Sequence, residues 1–296
     1  MRSDFRKNLN AIDKITLLYL FITTIFIGVA WNDLENKLVP LGFRILTILV
    51  ICVMACYQEL FRGGIMQFLR YAYPLILIVY LYPETDHFNN IFFENQDPFF
   101  SRIEETIFGL QPSLLLLKRF PQLWIVELMS FGYFSYYLLI FGFSLLLFLY
   151  DPDLFYRLIF VIISSFYIYY LVFVALPVAG PQYFFPSPEN EVPTAYLFSS
   201  MLKLIQELGE RPTGAFPSSH VGIVLIMIWY TWKYLRRWLF VILPLSILLI
   251  ASTVYLKAHY VVDILAATVT VPFFIISGNS LFNLLEKQVK VNSRTE

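Results

Sequence analysis

Long runs of apolar residues occupy most of this chain and restrict its fold more than any other feature. A helix needs about 20 apolar residues to cross the roughly 30 Å hydrocarbon core of a bilayer, where it satisfies its own backbone groups. We therefore predict an all-α polytopic membrane helical bundle of about eight transmembrane helices. The predicted spans are residues 15–31, 41–57, 65–82, 122–150, 154–178, 221–234 with a start extended through residue 218, 238–256 and 260–282.

The composition excludes an ordinary soluble domain, because 58% of the 296 residues are hydrophobic and only 14% are charged. The net charge is zero, which gives no indication of nucleic-acid binding. Cys52 and Cys56 lie four residues apart in one apolar run, a spacing that suits packing on a helix. No ligand set for zinc or iron is visible in the sequence, and we predict neither a metal nor another cofactor.

Residues 211–220 read RPTGAFPSSH and join a polar loop to the apolar run that begins at Val221. Ser218 and Ser219 are favourable N-cap residues, so we expect His220 in the first turn of a membrane helix. Free backbone N–H groups and the helix dipole attract an anion such as phosphate at this position, and the Arg211 guanidinium could add a bidentate donor. The alternative is that the serines only cap a transmembrane helix.

A second histidine, His259, precedes Asp263 by four positions. On a helix these side chains would share a face, so the carboxylate could accept a hydrogen bond from one ring nitrogen and leave the other as a nucleophile. The alternative is a buried pair that only stabilises packing, although ionisable groups within a membrane are costly and usually functional. The predicted spans place His220 and His259 on the same membrane face, so that one site can contain both.

Together these stretches resemble the type 2 phosphatidic acid phosphatase superfamily, whose three motifs read K-x6-RP, PSGH and SR-x5-H-x3-D. The resemblance covers roughly residues 120–280. Ser219 stands at the glycine position of the second motif, and Thr253 stands at the arginine position of the third. The nearest lysine upstream of the first motif is Lys203, which is separated from the arginine by seven residues instead of six. The matching positions are Arg211, Pro212, Pro217, Ser218, His220, Ser252, His259 and Asp263.

The resemblance implies that His259 attacks phosphorus, that Asp263 orients His259, and that His220 protonates the departing alkoxide. A phosphohistidine intermediate would result. We add Lys257 as a substitute for the missing arginine, because on a continuous helix it would share the face of Thr253. Its ammonium could instead snorkel to the lipid headgroups. The residues expected to bind the phosphate are Arg211, Ser218, Ser219, Lys257 and Lys203.

The implied substrate is a lipid phosphate whose tails stay in the bilayer. Water as the acceptor would make the protein a lipid phosphatase, which we favour, and a lipid alcohol would make it a phosphotransferase. The stretch TVYLKAHYVVD, which lacks the arginine, is more similar to the inositol phosphorylceramide synthase branch, whose acceptor is a sphingolipid. A non-enzymatic lipid carrier with a degenerate site is the alternative from another class. No oligomeric state follows from the sequence.

Three regions are expected along the chain. Residues 1–64 would form two additional N-terminal helices, residues 65–285 a six-helix catalytic core, and residues 286–296 a cytoplasmic tail. The run 15–31 could be a cleaved signal, but we favour a retained span because it is long for a signal core. Within the core, residues 83–121 are too polar to span and are predicted to lie at the interface, with the phenylalanines in lipid and Arg102, Glu104 and Glu105 toward water.

The distribution of basic residues predicts the orientation. Thirteen of the 21 lysines and arginines fall on the side of the N-terminus, and the other eight are spread over longer loops. The positive-inside rule then places both termini in the cytoplasm and the histidine site on the extracytoplasmic face. The bacterial inner membrane, or an equivalent membrane, is the expected location.

Overall fold

The computed structural model describes residues 8–32, 34, 36–187 and 191–292, with side chains through residue 287. The described residues contain helices and no strand. The α-helices are α1 Ala11–Val29, α2 Leu38–Cys56, α3 Gly64–Glu84, α4 Asp97–Phe108, α5 Pro112–Arg119, α6 Leu123–Tyr150, α7 Pro152–Ala175, α8 Pro181–Phe184, α9 Leu197–Gly209, α10 Ser219–Tyr234, α11 Leu239–Tyr255 and α12 Val261–Asn292.

Seven regions of the described chain are long and apolar enough to cross a membrane, and they correspond to α1, α2, α3, α6, α7, α11 and α12. The remaining predicted span forms α10, whose 16 residues give a length of about 24 Å. That length is short of a bilayer core, so α10 is not among the seven. The prediction of an all-α polytopic bundle is confirmed, and the chain is an integral membrane protein.

Exposed apolar side chains on these helices have the distribution of a lipid-facing surface. Phe21, Ile25 and Val29 of α1 are each more than half exposed, while Leu20 and Ile27 are buried. In water such a face would be unfavourable, whereas in hydrocarbon it needs no further cover. The helices therefore bury one side against protein and leave the other for lipid.

Contacts divide the chain into two compact units. Unit 1 comprises residues 1–88, 145–167 and 274–296. It contains two buried ion pairs, in which Arg44 binds Glu84 with nitrogen–oxygen distances of 2.6 and 3.0 Å and Arg70 binds Asp13 in a bidentate manner. The count of basic residues used to predict the orientation includes Arg70 on the side of the N-terminus and Arg44 on the opposite side. Leaving both out of that count does not change the predicted bias.

Unit 2 comprises residues 89–144 and 168–273 and contains every residue of the predicted site. The predicted interfacial segment forms the short helices α4 and α5 within it. The phenylalanines of this segment do not all face outward, because Phe99 is 56% exposed whereas Phe100 is buried. The boundaries expected at residues 64/65 and 285/286 stay predictions, and residues 293–296 of the tail lie outside the described residues.

Candidate active site

The first turn of α10 carries His220, as the N-cap argument predicts. Ser218 is the N-cap residue, and its Oγ accepts a hydrogen bond of 3.3 Å from the Val221 N–H. Gly222 allows a tyrosine of α7 to approach this turn, since a Cβ there would lie only 1.8 Å from the Tyr169 hydroxyl oxygen. The helix start is therefore fixed by its cap and by close packing against α7.

His220 and His259 are in direct contact. The His220 Nδ1 and the His259 Nε2 are 3.2 Å apart, and the two rings are 5.4 Å apart between centroids. Two tyrosine rings pack against His220, with Tyr133 at 4.9 Å and Tyr136 at 4.5 Å between centroids. The structure thus brings together two histidines that are far apart in sequence.

The tautomer of His259 follows from its second nitrogen. The His259 Nδ1 lies 2.8 Å from the Ala215 carbonyl oxygen, which can only accept a hydrogen bond. The Nδ1 must therefore carry the proton, which leaves the lone pair of a neutral ring on Nε2. The Asp263 Oδ2 is further away, at 3.5 Å from the same Nδ1. Ala215 is thus the nearer partner, and sequence reasoning missed it because a main-chain acceptor has no residue signature.

His259 does not lie on a helix with Asp263, contrary to the expectation from their spacing. The helix α12 begins at Val261, and the Asp263 Oδ2 reaches back to accept a 2.7 Å hydrogen bond from the Tyr260 N–H. This is the bond that an acidic residue makes at the third position of a helix, and it brings the carboxylate near the preceding loop. The His259 ring and the Asp263 carboxylate therefore remain neighbours, although the reason differs from the predicted one.

Lys257 is also placed differently from the expectation. Helix α11 ends at Tyr255, and Lys257 has a left-handed backbone with a φ of 64°, so no continuous helix joins it to Thr253. The lysine side chain is fully buried, and burial lowers its pKa to about 8. The Lys257 carbonyl accepts a 2.9 Å hydrogen bond from the Gln182 N–H, which holds the turn in place. The proximity of Lys257 to His259 comes from this turn.

The motif residues at the end of α11 face their own helix. The hydroxyls of Ser252 and Thr253 are buried and donate to the carbonyls of Leu249 and Ile250 at 2.7 and 2.8 Å. The Thr253 carbonyl also accepts a 3.1 Å hydrogen bond from the His259 N–H. Thr253 therefore supports the histidine loop through its backbone, and its side chain does not replace the function of an arginine.

The other predicted phosphate-binding residues are placed as follows. Ser219 is the first residue of α10 and is buried, next to His220. Arg211 is exposed, and its guanidinium donates to the Glu210 carbonyl at 3.2 Å. Lys203 is exposed on α9 and lines a separate cavity. Their role in binding phosphate stays a prediction.

Helix α4 contacts the loop after α7 and the start of α12 through two buried carboxylates, which the sequence analysis did not assign to the site. The Asp97 carboxylate accepts hydrogen bonds from the Ala179 N–H at 2.7 Å, the Gly180 N–H at 2.8 Å and the Tyr260 hydroxyl at 2.9 Å. The Ala215 N–H donates in turn to the carbonyl of Val178, so this network reaches the residue whose carbonyl holds His259.

Glu104 is the second of these carboxylates, and the prediction that it faces water was wrong. It is fully buried and accepts a short hydrogen bond from the Val261 N–H at the start of α12. Burial raises the pKa of the Glu104 carboxyl to about 7, and the nearby Asp263 charge also acts to raise it. Arg102 and Glu105 of the same helix are exposed, as predicted. Free N–H groups at the helix start explain why the buried face of α4 carries an acid.

Among the residues that the structure describes, no group of three or more histidine, cysteine, aspartate or glutamate side chains could hold a metal ion. Two histidines are in contact at the starts of α10 and α12. A family profile described as the PAP2 superfamily matches residues 100–276, which is more than half of the chain. The chain therefore belongs to the PAP2 superfamily, and the predicted family is confirmed. Comparison with curated proteins gave no match, and comparison with solved structures gave none either.

Membership of this superfamily supports the interpretation that the protein is an enzyme with a phosphatase-like action on lipid phosphates. It agrees with the membrane helices and with a substrate that enters from the bilayer.

Proposed function

We propose that the protein is a lipid phosphate phosphatase that acts through a phosphohistidine intermediate on the extracytoplasmic face of the membrane. The observation that carries this proposal is the environment of His259. Its Nδ1 proton is held by the Ala215 carbonyl, so the lone pair on Nε2 is available, and His220 lies 3.2 Å from that nitrogen. A nucleophile oriented by a third group beside an acid–base partner is the arrangement that double displacement needs.

In the first step the His259 Nε2 attacks phosphorus and a nitrogen–phosphorus bond forms. The ester bond to the lipid oxygen breaks, and the oxygen takes a proton from His220. The phosphorylated ring carries a positive charge, which the Ala215 carbonyl and the Asp263 carboxylate stabilise at Nδ1. In the second step water attacks phosphorus, the nitrogen–phosphorus bond breaks, and the proton of the water passes to His220.

The substrate must separate the two histidine rings. In an in-line displacement the phosphorus lies between the attacking nitrogen and the leaving oxygen, so the nucleophile and the acid need to be about 5–6 Å apart. The His220 Nδ1 and the His259 Nε2 are 3.2 Å apart, so the two rings must move apart by about 2–3 Å to admit a phosphoryl group. Phosphate bound at this position would meet the first N–H groups of α10 beside Ser218 and Ser219.

A lipid alcohol could replace water in the second step without any change in the first. This phosphotransferase reaction is the alternative, and the threonine at position 253 favours it, because the arginine is also missing from the motif of the synthase branch. The two reactions share the phosphohistidine and differ only in the acceptor. A lipid carrier with a degenerate site would form no phosphohistidine at all.

The test compares purified variants in mixed micelles with phosphatidic acid, followed by phosphate release. We expect His259→Ala to lower turnover by about a thousandfold or more and His220→Ala by about 10²–10⁴-fold, because they serve separate steps. His87→Ala is the matched control, since the third histidine of the chain is exposed in unit 1, and it should retain full turnover. Parallel reactions with phosphatidylinositol and a ceramide would reveal transfer to a lipid alcohol.

A substrate with a nitrophenolate leaving group separates the two histidines. Nitrophenolate departs without protonation, so it should restore the first step in His220→Ala but not in His259→Ala. Equal rescue of both variants would contradict the assignment of His259 as nucleophile and His220 as acid. Full activity of a folded His259→Ala protein would remove the nucleophile, and a wild-type protein without any turnover of lipid phosphates would favour the carrier.

A further inference from the structure

Helix α9 carries a row of leucines that faces away from the protein. Leu197, Leu204 and Leu208 are separated by seven and four residues, so they lie along one side of the helix. These residues are 62%, 57% and 74% exposed. Three exposed leucines in one row are unfavourable in water, so this side of α9 needs an apolar cover.

The two flanks of this leucine row differ in polarity. On one flank Ser200, Lys203 and Glu207 are separated by three and four residues, and all three are exposed. The opposite flank carries Met201 and Ile205, which are partly buried. A helix with this distribution is typical of the membrane interface, where it lies along the surface with its polar flank toward water.

Glu127 of α6 fixes the N-terminus of α9. The Glu127 Oε1 accepts a 2.6 Å hydrogen bond from the Phe198 N–H, and the Oε2 accepts from the N–H groups of Tyr196 and Ser199 at 3.1 and 3.2 Å. The unpaired N–H groups and the dipole of a helix start favour an acid at this place. The N-terminus of α9 therefore lies level with Glu127 along the axis of α6.

The place of Glu127 in α6 gives the depth of α9 in the membrane. Helix α6 has 28 residues and a length of about 42 Å, which exceeds the roughly 30 Å hydrocarbon core by about 12 Å. A helix centred in the bilayer would extend beyond the core by about four residues at each end, and Glu127 is the fifth residue of α6. Helix α9 therefore begins at the boundary between the headgroups and the acyl chains.

Aromatic packing joins α9 to a lipid-facing side of α6. Trp124 and Leu128 are 64% and 41% exposed on this side, and Phe131 follows them at helical spacing. The ring of Phe198 lies 4.9 Å from the ring of Phe131 between centroids. Because Leu197 directly precedes Phe198, the leucine row of α9 continues a surface that faces lipid.

The C-terminal end of α9 is connected to the histidine pair. Glu210, the residue after the helix, accepts hydrogen bonds from the Tyr133 hydroxyl at 3.3 Å and from the Gln182 Nε2 at 3.0 Å. The Tyr133 ring packs against His220 at 4.9 Å between centroids. The position of α9 therefore bears on the surroundings of His220.

We propose that α9 is an interfacial helix whose leucine row binds the acyl chains of the leaflet on the side of the histidine pair. The partner is a fluid lipid bilayer, which buries the three leucines and leaves Lys203 and Glu207 toward water. The bilayer thereby holds Glu210, and with it the loop that leads to His220, at the membrane surface. This contact is independent of the reaction that the histidines perform.

Spin labelling of the full chain in vesicles of phosphatidylcholine and phosphatidylglycerol tests the proposal. With Cys52 and Cys56 replaced by alanine, one nitroxide is attached after Leu204→Cys, and Glu207→Cys on the polar flank of the same helix is the matched control. Power saturation then compares collisions with oxygen, which concentrates in lipid, and with a water-soluble nickel chelate. We expect the nitroxide at position 204 to lie about 5–10 Å into the boundary region, with a higher ratio of oxygen to nickel collisions than at position 207.

Leu208→Cys repeats the measurement one turn further along α9, so that the result does not depend on one variant. A ratio at positions 204 and 208 that is no higher than at position 207 would show that the leucines face water, and the proposal would be wrong. Weak collisions with both reagents at both positions would show a protein cover instead of lipid. Spin–spin broadening that disappears on dilution with unlabelled chain would identify that cover as a second copy, which also contradicts the proposal.

Discussion

A lysine in a left-handed conformation stands two residues before the proposed nucleophile. A non-glycine residue in this region costs roughly 1–3 kcal/mol, and such residues cluster at functional sites. The φ of 64° at Lys257 ends α11 and turns the chain toward His259. We interpret the lysine as a functional residue that the fold retains in an unfavourable conformation.

Lys257→Met should therefore lower turnover by about ten- to a thousandfold, as expected for the loss of a charged hydrogen bond to the phosphoryl group. Because the pKa of Lys257 is about 8, the wild-type ammonium loses its proton as the pH rises through 8, and turnover should fall there. The variant should lack this alkaline decline. The exposed Lys118→Met serves as the control, and an unchanged profile in Lys257→Met would leave the lysine a structural role only.

Secondary structure elements position the candidate site through the starts of helices α10 and α12 and through helix α4, which binds the start of α12. Asp97 binds the loop at residues 179–180 and the Tyr260 hydroxyl, while Glu104 binds the first N–H of α12. Gly180 allows its loop to approach the backbone at Ala258, since a Cβ at position 180 would lie 2.8 Å from the Ala258 carbonyl oxygen. Helix α4 therefore holds the loop after α7 and the start of α12 through hydrogen bonds of its two carboxylates.

Glu104→Gln tests this element through the pH dependence of stability. Burial raises the folded-state pKa of Glu104 from 4.5 to about 7. The contribution of its protonated carboxyl to the stability of the fold is therefore fully present below pH 4.5 and is lost as the pH rises through 7. The amide of the variant does not titrate. The free energy of unfolding of the variant, relative to that of the wild type, should therefore increase between pH 5 and 8 by on the order of 3 kcal/mol or less. Thermal unfolding at several pH values measures this difference.

Glu105→Gln is the matched control, because Glu105 is the exposed neighbour on the same helix, and its difference from the wild type should be flat over this range. Parallel pH curves for Glu104→Gln and the wild type would show that the carboxylate is not buried against α12. The unfolding of both variants is measured on detergent-solubilised protein, and light scattering checks that neither variant aggregates.

The sequence predicted the helices and the proximity of His220 to His259, because both follow from the apolar spans and the residues at their ends. Apolar length predicts the spans, and the serines before His220 predict where α10 begins. The contacts around His259 were only partly predictable, since the Ala215 carbonyl that holds its ring is a main-chain atom and Glu104, which binds the nearby Val261 N–H, belongs to a distant segment. Lys257 was misplaced because nothing local indicated that α11 ends at Tyr255, in a turn held by the Gln182 N–H.

At the scale of the whole molecule, the side of the membrane on which the site lies is a proposal from the charge bias. Cysteine labelling in sealed cells tests it with Ser200→Cys on α9 and Arg237→Cys between α10 and α11, both exposed positions. Cys52 and Cys56 are first replaced by alanine. We expect an impermeant thiol reagent to label position 200 from outside and position 237 only after permeabilisation. The reverse pattern would invert the orientation.

We propose that His259 carries the phosphoryl group, and trapping that group on the protein is a direct test of this role. Protein incubated briefly with ³²P-labelled phosphatidic acid is quenched in base, where phosphohistidine survives, and the labelled residue is mapped by mass spectrometry. We predict label on His259 in the wild type, more label in His220→Ala with the nitrophenyl substrate because the second step is slowed, and none in His259→Ala. Label that persists in a folded His259→Ala protein, or turnover without any base-stable label, would contradict the role of His259 as the nucleophile.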